Sequence, residues 1–456
     1  MSDLTKAVSE LLSKRDDYLL AESYYEGNTD EIHASSAVKR ALRKSGDTFR
    51  VNFAKTPVTA VANRLEITGV TTLSASAKQL VDRTWQHNDL ELELTKIISK
   101  TLIYGDSYVF VWPNDDEIEI YYNSPLSTIV LYDVENPRKP SYAAKLWPIE
   151  LEDGKQRQRV NLYYADRIEK HISSSERLPF TIKPSDFEPF IDDDTDEYGM
   201  LPNEFDQIPI FHLSTGDQYG KPEHLSAYGP QDAITKLLIT GMAAVESYGF
   251  PTRYVLQGEQ SGISIDDEGT ADELGVGAGE EWILRGVSSV GQFKAADPLP
   301  LIANYREYVR ALASVTETPL HYFENTQTNV SGEALRASEA PLVKKVRMRQ
   351  LSIGTTLRKL FIFVLKLNNI DEDVQLEWRG IESIDTSEQW SINKKKLEAG
   401  LPVEQILLEH GYDTELIAKW KAAGLLEGMV RQISNNDSVA VTKVQNTEIE
   451  GAIENE

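Results

Sequence analysis

PQDAITKLLITGMAAVES, residues 230–247, and LIANYREYVRALASV, residues 301–315, decide how this chain is read. In the first segment Ile234, Leu237, Leu238, Met242 and Val245 fall on one helical face; in the second, Ile302, Tyr305, Val309, Leu312 and Val315 do the same. Pro230 opens the first helix, where a missing N–H removes no intrahelical bond, and Gly249 and Pro251 close it. Between the helices, residues 252–297 read as a small β module. Tyr254 to Gln257 is followed by an acidic, Gly-rich link, then by Trp282 to Leu284 and Gln292 to Lys294. Two helices of similar length that bracket a β tip imply a projecting helical pair.

Upstream, the chain divides in two. Residues 1–110 read as helical: Leu4, Val8, Leu11 and Leu12 form one stripe, Val58, Val61, Ala62 and Leu65 a second, and Leu80 to Leu102 a third. Gly105 then changes the period from helical to strand-like. Strands are predicted at Tyr108 to Trp112, Ile118 to Tyr122, Ile129 to Tyr132, Ala143 to Trp147, Val160 to Tyr164 and Ile208 to Leu213. Pro184 to Asp206 carries nine acids and no base, and reads as a long solvated loop.

Downstream, Thr316 to Val330 is a polar loop. The longest helix then runs from Ser331 to about Asn369, with a kink expected at Pro341, which removes a donor and crowds the preceding turn. Val374 to Trp378 alternates as a short strand. Short helices follow, punctuated by Gly400, Pro402, Gly411 and Asp413, and Ser434 to Glu456 is polar and without aromatics, as expected of a disordered tail. The fold class is α+β and mainly helical.

Composition narrows the function. A chain of 456 residues needs no staple to bury a core. Its 72 acids against 47 bases give −25, which argues against clamping nucleic acid by phosphate neutralisation. With no Cys, disulfide scaffolds, thiol catalysis and Cys-based zinc sites are excluded. Met1 to Asp17 is polar and mixed in charge, so no secretory signal is expected, and the longest apolar run, Leu360 to Leu365, is far too short to span a membrane.

No catalytic motif survives inspection. Gly216-Asp217-Gln218-Tyr219-Gly220-Lys221-Pro222 misses the phosphate-loop spacing and has Pro222 where a hydroxyl belongs, so it reads as a glycine turn. Gly275-Val276-Gly277-Ala278-Gly279 ends in Glu280 among further carboxylates, which would repel a pyrophosphate. Asp192, Asp194 and Asp196 have the opening spacing of a calcium loop but lack its turn glycine and final glutamate. The seven histidines show no metal-ligand spacing. The expectation is no enzyme, no cofactor and no metal. One charge feature stands out. The long helix carries Arg336, Lys344, Lys345, Arg347, Arg349, Arg358, Lys359 and Lys366 against the single acid Glu339. It is either a solvated face or a surface opposed by an acidic neighbour such as another copy, with Lys344, Lys345, Arg347 and Arg349 as interface candidates.

Several strings in order resemble the portal (head-to-tail connector) proteins of tailed double-stranded DNA bacteriophages, of the long-tailed type. They are Tyr24-Tyr25-Glu26-Gly27; Asn52, Val61, Arg64-Leu65 and Gly69; Trp85, Asn88 and Leu90 with Tyr104-Gly105-Asp106-Ser107-Tyr108-Val109; and Ser124-Pro125 with Tyr132-Asp133. The most specific is Thr318-Pro319 with His321-Tyr322-Phe323, then Asn329, Ser331-Gly332-Glu333-Ala334-Leu335 and Glu339, similar to that family's loop-to-long-helix junction. Lys395 to Gly400 and Pro402 are similar to its C-terminal helices. The likeness spans residues 10–430; the compact 252–297 module and Pro341 depart from it.

The resemblance implies a division of parts: 1–228 a wing, 229–249 and 299–315 stem helices, and 250–298 a clip that docks motor and connector proteins. It further implies 316–330 a tunnel loop, 331–383 a wing helix with its returning strand, 384–432 a crown and 433–456 a tail. It places Asn325, Thr326, Gln327, Thr328 and Asn329 beside DNA, and Tyr254, Trp282 and Arg285 in the clip. The implied assembly is a dodecameric ring at one capsid vertex of the virion, formed in the host cytoplasm. Its implied partners are the terminase large subunit, a head-completion adaptor, the major capsid protein and scaffold, and the double-stranded DNA passing through; no membrane is involved. Another head-completion or tail structural protein, or a metal-dependent packaging enzyme, is the alternative.

Overall fold

The computed structural model describes residues 2–28, 51–114, 117–151, 154–216, 218–249, 253–257, 287–292, 299–324, 332–381, 386–409, 414–422 and 426. The chain forms two compact units, Met1–Ile381 and Glu382–Glu456. Helices and strands mix throughout the first, so the class is α+β.

Helix α1 (Asp3–Glu26) is capped by the Ser2 hydroxyl, which accepts from the Thr5 N–H, and it stops at Gly27, where φ is +73°. Its buried stripe of Leu4, Val8 and Leu11 packs on a β-sheet through Ile129, Tyr142 and Leu162. Helices α2 (Lys55–Ala62), α3 (Ala75–His87) and α4 (Leu90–Tyr104), with strand β1 (Ile67–Thr71) between α2 and α3, surround the largest core. Val58, Val61, Ile97 and Leu102 meet Val346, Ile353, Leu357 and Phe361 of the long helix there.

Three antiparallel strands follow the order β10-β2-β3, with β2 at Asp106–Asn114, β3 at Glu117–Asn123 and β10 at Ile210–Ser214. Their register sets Leu213 opposite Ser107 and Tyr108 opposite Asn123. A larger sheet runs β4 (Thr128–Tyr132), β5 (Pro140–Glu150), β6 (Gln156–Tyr163), β7 (Arg167–Ser173) and β8 (Phe187–Pro189), and β9 (Met200–Pro202) also pairs with β7. Each strand read from the sequence upstream of residue 215 is present here within a few residues.

The acidic stretch 184–206 is not the solvated loop expected. It contributes β8 and β9, and both take β7 as partner. β7 escaped the sequence reading because Lys170 stands at a buried position in it. Asp192 resolves that charge: its carboxylate receives Lys170 Nζ at 2.7 Å and Arg159 at 3.4 Å. Partial burial works to raise the Asp192 pKa, but the Lys170 hydrogen bond and charge outweigh it and hold the carboxyl below its usual range. A lysine thus holds the carboxylate on which the calcium-loop reading turned. Among the described residues no three candidate ligands cluster to bind a metal.

Helices α5 (Tyr228–Gly249) and α6 (Leu299–Val315) pair as expected, burying Ile234, Val309 and Leu312 around Ala54 and Ala227. Two antiparallel strands lie between them in sequence, β11 (Arg253–Gln257) and β12 (Val287–Gln292), with Tyr254 opposite Gly291. Gln292 of the strand expected at Gln292 to Lys294 is the last residue of β12, and residues 293 and 294, like Trp282 to Leu284, lie outside the described residues. Helix α7 (Gly332–Leu367) runs through Pro341 as one helix. Leu342 and Val346, just beyond the proline, are fully buried and tie this stretch to the core. The chain then returns as β13 (Gln375–Trp378), which pairs antiparallel with β1 through Val70 and Leu376.

The second unit holds α8 (Thr386–Glu398), α9 (Val403–Glu409) and α10 (Thr414–Ala422), with Lys421 and Glu404 paired at 2.9 Å. Residues 433–456 lie outside the described residues. No helix among the described residues is long and apolar enough to cross a membrane.

Candidate functional site

The sequence points to the loop between α6 and α7 as the site, and the described structure fixes both of its roots. At the first root α6 ends with Thr316, whose hydroxyl donates to the Leu312 carbonyl at 2.7 Å. Glu317 turns the chain at φ +51°, in the left-handed region, and Thr318 N–H bonds back to the Ala313 carbonyl at 3.0 Å. Thr316 and Thr318 are buried. Lys345 of α7 donates to the Thr316 carbonyl at 2.6 Å, so the long helix holds the end of α6 directly. At the second root Glu339 is buried and pairs with Arg64 at 3.0 Å, with His321 Nε2 3.6 Å away. Arg64, His321 and Glu339 all belong to the strings that carry the family likeness, and they converge here in space.

Glu223 is the charged centre of the first root. Its side chain is 2% exposed, and it faces Lys345 Nζ at 2.9 Å and Arg349 Nε at 2.7 Å. Burial works to raise the Glu223 pKa, but the two cations outweigh it and hold the carboxyl below its usual range. Arg349 also donates to the Thr215 carbonyl, and Glu223 N–H donates to the Leu102 carbonyl at 2.8 Å. Glu223 thus joins α4 through its backbone and α7 through its carboxylate, while Arg349 and Lys345 extend the network to the β10 turn and the end of α6. The same groups line a cleft of about 410 Å3, with Lys221, Val315 and Glu317 at its walls.

Beside it, the glycine turn 216–220 has a structural explanation. Gly105, at φ +89°, and Gly220 bring two backbones together: a Cβ on Gly220 would sit 2.1 Å from the Gly105 oxygen. Asp106 locks the contact. It accepts from Gly220 N–H and Tyr18 O–H, both at 2.7 Å, and faces His212 Nε2 at 2.9 Å. The His212 Nδ1 lies 2.8 Å from the Tyr132 hydroxyl, so the tautomer that satisfies both contacts carries its proton on Nε2. A carboxylate, an imidazole and a hydroxyl in series could serve a general base. Asp106 and His212 side chains are 1% and 2% exposed, so no substrate reaches them. The arrangement holds α1, β2, β4 and β10 together.

The other sequence candidates divide as follows. Lys345 and Arg349 have an acid within the chain, Glu223, because α7 lies across the β10 turn. Arg358 likewise pairs with Asp373. Lys344 and Arg347 lie on the opposite, exposed side of α7. Asn325, Thr326, Gln327, Thr328 and Asn329 lie outside the described residues, as do Trp282 and Arg285; Tyr254 lies on β11. Sequence reasoning missed Glu223 and Asp106. Glu223 has no local signal, whereas Asp106 stands in a quoted string immediately after the helix-ending Gly105.

Comparison with known proteins gives this geometry a family. A model of the family "Phage portal protein, SPP1 Gp6-like" matches residues 8–423. The portal protein of Mycobacterium phage L5 is 22% identical over 349 residues, which cover 73% of this chain and 67% of that protein. That of Mycobacterium phage D29 is 22% identical over 323 residues, 67% of this chain and 62% of the relative. The chain thus spans about two thirds of the length of these curated relatives. Among solved structures, a chain from the neck of a native gene transfer agent particle with C12 symmetry aligns at a TM-score of 0.44 and 13% identity, covering 79% of this chain and 91% of that one. A chain from the virion of that particle aligns at 0.41 and 14%, covering 78% and 88%. The match over residues 8–423, which takes in both roots of the α6–α7 loop, places this chain in the SPP1 Gp6-like phage portal protein family.

Proposed function

We propose that this chain assembles into a ring at one vertex of a phage capsid, as a non-enzymatic channel for double-stranded DNA entering and leaving the head. The family match over residues 8–423 is the observation that carries this reading. In it, residues 1–228 with α7 and β13 are the wing, α5 and α6 the stem, 250–298 the clip, 316–330 the tunnel loop, and 384–432 the crown. The ring has twelve copies, resides in the virion after assembly in the host cytoplasm, and docks a terminase large subunit and then a head-completion adaptor at the clip. The major capsid protein and scaffold surround it.

The charge supports a passive channel. Every copy adds −25 to the ring, and a bore that repels phosphates lets a duplex slide instead of gripping it. The loop residues Asn325, Thr326, Gln327, Thr328 and Asn329 are uncharged and can touch DNA without neutralising its backbone. Both roots of that loop are buried and ion-paired, which suits a short element that meets a moving polymer.

Negative-stain imaging of the purified protein is expected to show ring-shaped particles with a central hole; a persistent monomer in several buffers would refute the assembly. In phage carrying Asn325→Lys, Gln327→Lys and Asn329→Lys together, each copy gains three positive charges beside the duplex. Genome packaging is then expected to slow, leaving heads partly filled. Heads filled to the normal length would show that these residues do not face DNA.

A further inference from the structure

Two exposed helix faces of this chain carry opposite charge and matching apolar patches. On α7, Lys344, Arg347, Met348 and Leu351 recur at helical spacing along one stripe. All four are exposed, with Met348 at 55% and Leu351 at 62%. This is the side of α7 turned away from Glu223. On α1, Asp16, Asp17 and Leu20 form a stripe of the same spacing, with Leu19 beside it; Leu19 and Leu20 are 43% and 48% exposed. Of the bases just before it, Lys14 is seated over the Tyr219 ring at 3.0 Å, and Arg15 lies about 140° around the helix from Leu20, at the edge of the patch one turn before Leu19. Among the described residues no side-chain hydrogen bond or ion pair engages Asp16, Lys344 or Arg347. Large exposed apolar side chains one turn from a pair of like charges mark a surface that is covered in the working assembly.

We propose that these two faces are the two halves of one contact between neighbouring copies: the α1 stripe of one copy packs along the α7 stripe of the next. The inference rests on the ring reading and names the surfaces that would build it. The patches differ, so the contact is head-to-tail, and a head-to-tail contact is what closes a ring. Charge also sets the direction. On both helices the charged residues precede the apolar ones, so a parallel approach puts Asp16 and Asp17 beside Lys344 and Arg347, with Leu20 beside Met348 and Leu351. An antiparallel approach would set the acids against leucine and methionine, which leaves charges desolvated and unpaired.

The absence of cysteine from the chain allows a clean test. An affinity-tagged L20C chain and an untagged M348C chain are co-expressed, and the assembled particles are treated with a short bismaleimide. A cross-linked tagged–untagged dimer is expected, with no dimer when either variant is expressed alone. Rings that form normally but give no mixed dimer would overturn the contact and leave the ring standing. A dimer from L20C alone would also overturn it, because that product requires a two-fold contact. Absence of rings from the unmodified chain would sink both readings together. In a second arm, D16K/D17K and K344E/R347E are each expected to lower ring yield ~10-fold or more, since like charges then face each other. Combining all four substitutions should restore rings. Equal yields across the three variants would refute the pairing.

Discussion

Glu223→Ala is expected to lower the unfolding free energy by about 3 kcal/mol, because it strands two partly buried cations without a counter-charge. Lys345 and Arg349 are 12% and 22% exposed, so water compensates them only in part. Their carbonyl contacts to Thr316 and Thr215 remain, but those accept hydrogen bonds and neutralise no charge. The same pair makes stability depend on pH. The folded Glu223 pKa lies below its ordinary value of 4.5, so the pair stabilises the fold fully above that value and loses its contribution as pH falls through the folded pKa. Urea denaturation should show the variant's deficit at pH 7 shrinking toward low pH. A double-mutant cycle with Lys345→Met isolates one of the two partners: coupling near zero would mean that Arg349, and not Lys345, supplies the counter-charge that stabilises Glu223. The deficit should extend to the start of the α6–α7 loop, since Lys345 also holds the Thr316 carbonyl.

Asp106→Ala should cost ~3–5 kcal/mol, for a different reason. It orphans three buried donors at once, Tyr18 O–H, Gly220 N–H and His212 Nε2–H, at about 1–3 kcal/mol each before relaxation. Asp106→Asn separates shape from charge. An amide oxygen in the position of Oδ1 keeps the His212 and Gly220 contacts, and its NH2 can donate to the Tyr18 oxygen. The loss expected for asparagine is therefore roughly 1–2 kcal/mol. Denaturation midpoints for the two variants decide it. Equal losses would show that the negative charge, absent from both variants, sets the contribution of Asp106, and not the hydrogen bonds or the volume that asparagine keeps.

The helices with one apolar stripe were legible in the sequence because periodicity is a local property. α1, α5 and α6 follow from Leu4, Val8 and Leu11, from Ile234 and Leu238, and from Val309 and Leu312. Strand β7 was not legible. It places Lys170 where an apolar residue belongs, and only Asp192, twenty-two residues later, makes that tolerable. The acidic run 184–206 misled for the same reason: one of its carboxylates serves as a counter-ion and two of its segments are strands. The base-rich long helix was half understood. Composition shows that its charges need partners, but not that Lys345 and Arg349 find theirs in Glu223 while Lys344 and Arg347 turn outward.

From its sequence alone this protein declares its helices, most of its strands, its surplus of negative charge, the lack of any catalytic motif and its likeness to portal proteins. Each of these depends on spacing, composition or the order of short strings. The tertiary structure alone decides which charges meet. Arg64 and Glu339, Glu223 and Lys345, and Asp106 and His212 stand more than a hundred residues apart in the chain. A buried ion is tolerated only where the fold brings its partner within hydrogen-bonding distance, and no local pattern carries that information.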